Sequence, residues 1–143
     1  MRIVAAAALY FLIVFGVGFL LGPVRVFWLE PRLGETMATL CEAPFLLIAI
    51  VLAARRLPGM LNLKTNLTSL AAMGIGALVL QQLADFAVGG FLRSITPAEQ
   101  IAHLTRPAGL IFLALLITFS AMPILANRPR WWPPNAQSGA HDQ

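Results

Sequence analysis

Twenty consecutive residues, 3–22, carry no charged side chain. At 1.5 Å per residue such a run makes a helix of about 30 Å, the thickness of a bilayer's hydrocarbon core. Three further apolar runs follow at 34–54, 67–92 and 107–126; the second holds Glu35 and Glu42, the third Asp85, and the fourth no charge. A segment of this kind must satisfy its own backbone inside lipid, and an α-helix does so. The chain is therefore expected to be all-α: a bundle of four transmembrane helices, mainly antiparallel, with a short interfacial helix between the third and fourth spans.

Composition excludes the soluble alternative. Only 11% of the 143 residues are charged, against about a quarter in a soluble domain, and the mean hydropathy is +0.80. The net charge of +4 would suggest nucleic acid in a soluble protein, but the ten basic residues are scattered over loops and helix ends, so no nucleic-acid partner is expected. A single cysteine, Cys41, excludes an internal disulfide and a C-x-x-C redox pair.

The first run reads as a retained span rather than a signal peptide, whose apolar part is about 7 to 15 residues long and precedes an A-x-A-like site. Residues 23–34, with Trp28, two prolines and two arginines, read as an interfacial re-entry loop. The second span is expected to stop at Arg55-Arg56-Leu57-Pro58-Gly59, where basic residues and then Pro-Gly mark a helix end. Thr96, Pro97 and Glu99 have the spacing of a capping box with proline at the first helical position, which predicts the interfacial helix from there to about Thr105. Domain 1–126 would hold the whole bundle, and 127–143 a polar, disordered cytoplasmic tail anchored by Arg128, Arg130, Trp131 and Trp132.

Basic residues set the orientation. With both termini inside, Arg2, Arg55, Arg56, Lys64, Arg128 and Arg130 are cytoplasmic, while Arg25, Arg32, Arg93 and Arg106 face the other side, a six-to-four bias. The expected location is a bacterial-type inner (plasma) membrane, with both termini in the cytoplasm.

Function has to be sought where polarity is costly. An acidic residue at the centre of a spanning helix costs about 2.5 to 3.5 kcal/mol on insertion scales, so it turns inward and takes a partner. Glu42 and Asp85 are the two candidates, each about 10 to 12 Å below the outer boundary by helical rise. Gln81 shares a face with Asp85 and Gln82 lies three residues from it; Glu35 and Thr39 share the face of Glu42, and Pro44 frees the Leu40 carbonyl beside it. If the carboxylates meet, one keeps a proton; if Arg25 folds inward, it neutralises them as an ion pair. The layer Glu42, Asp85, Gln81 and Arg25 is thus the expected ion, proton or substrate site, or equally a set of interhelical fasteners. Gly18 with Gly22 and Ala72 with Gly76 are small-residue steps that allow close helix approach.

Weaker signals point to ordinary roles. Glu99 and His103, four apart, have the spacing of a metal pair, but capping already accounts for Glu99, so no metal site is expected. Cys41 has no intramembrane histidine to activate it and reads as a packing residue. Tyr10 reads as a lipid or bundle contact.

The segment L-G-P-V-R-V-F-W-L-E-P-R-L-G over 21–34, followed by C-E-A-P over 41–44, resembles a group of small four-span bacterial inner-membrane proteins to which no activity is attached. The resemblance covers the first half of the chain and its size, and implies that Arg25, Pro31, Arg32, Gly34, Glu42 and Pro44 form one functional unit. Small multidrug exporters also have four spans, but their membrane glutamate lies in the first helix, where this chain has no acidic residue.

With no catalytic constellation and no cofactor motif, the expectation is a small accessory or assembly-type membrane protein, not an enzyme and without a cofactor. The alternative is a small transporter or proton-coupled permease using Glu42 and Asp85. Membrane lipids, and either further copies of the chain or a larger membrane complex, are the expected partners.

Overall fold

The computed structural model describes residues 1–92 and 96–127. Among them the chain is helical in α1 (Arg2–Val24), a wider π-helical turn (Arg25–Leu29), α2 (Glu30–Leu33), α3 (Glu35–Met60), α4 (Leu67–Leu92), α5 (Pro97–Leu104) and α6 (Pro107–Ala126). Four of these stretches are long and apolar enough to cross a membrane, which makes this a multi-pass membrane protein with a four-helix bundle. Arg93, Arg128, Arg130, Trp131, Trp132, the rest of the 128–143 tail and the side chain of His103 lie outside the described residues.

In the bundle, α1 and α6 each pack against both α3 and α4. The sequential helices α3 and α4 therefore sit on one diagonal and α1 and α6 on the other. The N-terminal end of the bundle gathers Arg2, Arg55, Arg56, the 61–66 turn and Asn127, and Arg2 donates to the Asn62 carbonyl there. The opposite end carries Arg25, Arg32, Glu35 and Arg106.

Burial is inverted relative to a soluble bundle. Small side chains such as Ala6, Ala7, Ala53, Ala54 and Ala77 are buried, whereas Leu12, Phe19, Phe45, Ile48, Ile75 and Ile117 point outward. Lipid is as apolar as leucine, so close backbone approach at small residues matters beside the few large side chains that are buried, Tyr10, Ile50, Leu70 and Met73 among them. The tightest approach is at Gly74, where a Cβ would fall on the carbonyl oxygen of Ser120 in α6. A Cβ on Gly76 would meet Ala7 at 3.1 Å. Of the other expected step, Gly18 makes only ordinary contact with Leu46 at 3.5 Å and Gly22 faces open space.

Two of the expected boundaries are corrected. The connector 23–34 is helical rather than a loop: α1 runs through Pro23 into the π-helical turn and α2, beyond the expected end at Gly22. The reversal is made by one residue, Gly34, at φ 80° and ψ 163°, a backbone region essentially restricted to glycine. Likewise α3 does not stop near Ala54 but continues through Arg55, Arg56 and Pro58 to Met60. Arginines at a helix end extend their heads toward the interface, and proline removes only one backbone donor.

Where those donors are missing, other groups replace them. Pro123 cannot bond the carbonyl of Phe119 four residues earlier; the Tyr10 hydroxyl donates to it at 2.8 Å, across the α1–α6 diagonal. The two rings stack with centroids 4.5 Å apart. Pro58 similarly abandons the carbonyl of Ala54, and the Asn127 amide donates to that oxygen at 3.0 Å and to the Pro123 carbonyl at 2.8 Å. Tyr10 is fully buried and Asn127 only 3% exposed, so water cannot take their place. Together they seal the N-terminal half of the bundle around Ile50, Leu57, Met73 and Phe119.

Candidate functional site

The other half of the bundle holds the polar groups. On α4 the inward stripe of Leu70, Met73 and Ala77 continues, at helical spacing, to Gln81 and Asp85. On α3 the buried Ala38 precedes Glu42 by one turn. Glu42 lies seven residues inside the start of α3 and Asp85 seven inside the end of α4, so each is about 10 Å from its helix terminus. The two carboxylates thus lie at matching distances from the same end of the diagonal pair of helices.

Arg25 turns inward. Its Nη1 donates to Glu42 Oε2 at 3.2 Å, and its Nε lies 3.2 Å from Glu30 Oε1 as an ion pair without the alignment of a hydrogen bond. The side chains of Arg25, Glu30 and Glu42 are 22%, 28% and 10% exposed. Of the two alternatives for Glu42, proton sharing with Asp85 or pairing with Arg25, the Arg25 contact is present.

The π-helical turn is what allows one arginine to serve both carboxylates. In an α-helix, residues five apart point about 140° away from each other. Here the Glu30 N–H closes on the Arg25 carbonyl, five residues back, so that these two positions stack along one side. The sequence shows the residues of this cluster but not the turn; Pro23 followed closely by Pro31 is the only local hint. Arg32 and Trp28, also in this segment, are stacked as a cation and ring with 5.9 Å to the centroid.

Asp85 is held from its own helix, its Oδ1 accepting from Gln81 Nε2 at 3.0 Å. The Oε1 of Gln82 is buried and accepts no hydrogen bond among the described residues. The Thr39 hydroxyl donates to the Glu35 carbonyl at 2.8 Å, back-bonding within α3 beside the cluster. Cys41 is a free cysteine exposed on α3.

At the edge of this half the capping box forms as expected. Glu99 accepts from the Thr96 backbone N–H at 2.8 Å and from its hydroxyl at 2.9 Å, while the Glu99 N–H donates back to Thr96 Oγ1 at 3.3 Å. These bonds hold the fully exposed Glu99 carboxyl below the usual glutamate value of 4.5. Among the described residues, no three histidine, cysteine or acidic side chains come together in a way that could hold a metal ion.

Arg25 thus joins a carboxylate of α2 to one of α3, while α4 carries its own Asp–Gln pair at a matching distance from the same end of the bundle. This set of groups can stabilise a fixed helix arrangement, and its acidic members can attract a cation or proton. Comparison of the chain with protein-family models, with curated proteins and with solved structures finds no match.

Proposed function

We propose that this chain is a small accessory or assembly-type protein of a bacterial-type inner membrane, with both termini cytoplasmic, belonging with the small four-span proteins that its 21–44 segment resembles. The observation that carries the reading is the Arg25 pairing with Glu42 and Glu30. A carboxylate kept for exchange with a substrate ion would not have its charge compensated permanently by the protein's own arginine. A carboxylate that fixes the geometry of two helices would.

The sealed N-terminal half supports the same assignment. Tyr10, Phe119, Ile50, Met73 and Ala77 close the bundle axis below the polar layer, leaving a rigid scaffold whose outer faces are apolar and available to lipid or to another spanning helix. The basic residues at that end support a cytoplasmic position for it.

A second reading, a small cation- or proton-coupled permease, is favoured by the α4 side of the layer, where Gln82 Oε1 is buried without a hydrogen bond next to the Asp85–Gln81 pair. Reconstitution separates the two. Proteoliposomes of the purified chain are expected to show the same pH-driven ion flux as protein-free vesicles. A flux above that background, abolished by Glu42→Gln or Asp85→Asn, would transfer the assignment to the permease.

A further inference from the structure

The outer surface carries an apolar groove between α1 and α3 with a volume of about 540 Å³, walled by Ile13, Val17 and Leu21 on one side and by Phe45 and Ile48 on the other. It runs toward the N-terminal end of the bundle and finishes at Arg56 and Met60. From Phe45 to Met60 is about 22 Å of helix, longer than the roughly 15 Å that one leaflet contributes to the hydrocarbon core. A second apolar depression of about 260 Å³ shares Ile48 and Leu52 with the first and lies beside it. The two hollows therefore flank a single ridge.

Charge at the foot of the groove is one-sided. Arg2, Arg55, Arg56 and Lys64 gather at this end, whereas the acidic side chains among the described residues, Glu30, Glu35, Glu42, Asp85 and Glu99, belong to the polar layer or to the far end. Arg56 is exposed and, among the described residues, is the only charged one lining the groove. A guanidinium at interfacial depth, at the end of a leaflet-length apolar channel and with no carboxylate lining it among the described residues, matches a phosphate headgroup whose acyl chains lie along the helices.

We infer that this groove is a binding site for one anionic diacyl phospholipid, its headgroup on Arg56 and its two chains straddling the Ile48–Leu52 ridge. The site rests on the chain being a membrane protein, not on the accessory role, and stands whichever reading of the polar layer holds. A lipid held there covers the α1–α3 face and makes the stability of the bundle depend on the headgroup composition of its leaflet.

The test is lipid retention by the full-length protein in detergent, titrated with phosphatidylglycerol or phosphatidylcholine of identical chains and read by native mass spectrometry. The expected result is one retained phosphatidylglycerol per chain, favoured about fivefold or more over phosphatidylcholine. Arg56→Gln should remove most of that preference and Arg55→Gln little of it. Ala49→Phe, which fills the groove from its outer wall, should lower retention of both lipids while the thermal transition of the protein shows it still folded. Equal retention of the two lipids, a preference indifferent to Arg56→Gln, or a lipid-free dimer in which a second copy covers the groove would overturn the proposal.

Discussion

Replacing Tyr10 with phenylalanine removes one oxygen and leaves the ring stack on Phe119 in place. The lost hydroxyl is the donor to the Phe119 carbonyl at 2.8 Å, and that carbonyl has no helical donor because residue 123 is proline. At 0% exposure for Tyr10, water cannot reach in to replace it. An abandoned buried acceptor costs about 1 to 3 kcal/mol, and hydrogen bonds measured inside membrane proteins reach about 1.7 kcal/mol, so Tyr10→Phe should destabilise by about 1 to 2 kcal/mol. The sharper expectation is its dependence on Pro123. In a Pro123→Ala background the new Ala N–H bonds the Phe119 carbonyl directly, and the same Tyr10→Phe change should then cost less than about 0.5 kcal/mol. The four proteins form a double-mutant cycle, measured as reversible unfolding in mixed micelles with rising sodium dodecyl sulfate and followed by far-ultraviolet circular dichroism. Any cavity left at position 123 is common to both arms and cancels. A Tyr10→Phe cost that is the same with proline and with alanine at 123 would refute the carbonyl-replacement argument.

Three other expectations follow from the geometry. Arg25→Gln leaves Glu42, 10% exposed, without its cation and should lower unfolding stability by about 2 kcal/mol or more, with partial recovery in Arg25→Gln/Glu42→Gln; a single mutant as stable as the parent would remove the ion pair from the account. Gly34→Ala forces a Cβ onto φ 80°, ψ 163° and should cost about 1 to 3 kcal/mol, whereas Gly22→Ala, facing open space, should be neutral or slightly stabilising; equal effects in the same unfolding assay would contradict the hinge. Glu99 has its carboxyl held below 4.5 in the folded protein, so the capping box contributes fully above that value and is lost as pH falls through the lowered one; a carbon-detected NMR titration should place its midpoint under 4.5, moving only part of the way back in Thr96→Val, which keeps the backbone donor, and a midpoint at or above 4.5 in the parent would deny the box.

The four spans and the capping box could be read directly, because both depend on local chemistry: uninterrupted apolar length, and hydroxyl-to-carboxylate spacing across one turn. The matching depth of Glu42 and Asp85 was also legible, since helical rise alone sets it. Arg25 was legible only as one of two alternatives, because whether it reaches inward depends on a π-helical turn that no residue pattern announces. The hydrogen bonds of Tyr10 and Asn127 are not legible in the sequence, where the first reads only as a lipid or bundle contact and the second as the start of the tail. Two of the acceptors these side chains satisfy, the carbonyls of Phe119 and Ala54, could have been found, each four residues before a proline. Which donor arrives there depends on α3 and α4 lying on a diagonal, and periodicity does not contain that packing order. Gly74 escaped for the same reason: small-residue steps are frequent in apolar helices, and only the approach of Ser120 distinguishes the one that matters. The continuation of α3 through Arg55, Arg56 and Pro58 shows that charge and proline end a helix only when nothing nearby compensates them.

The central claim is that the polar layer holds a scaffold together for the benefit of another protein. Its most direct test is native mass spectrometry of the chain extracted in mild detergent from the membrane in which it is made. The account predicts a stoichiometric complex with a second membrane protein, lost when Arg25→Gln loosens the α1–α3 turn. A homo-oligomer or monomer carrying only lipid and a small ligand would contradict it.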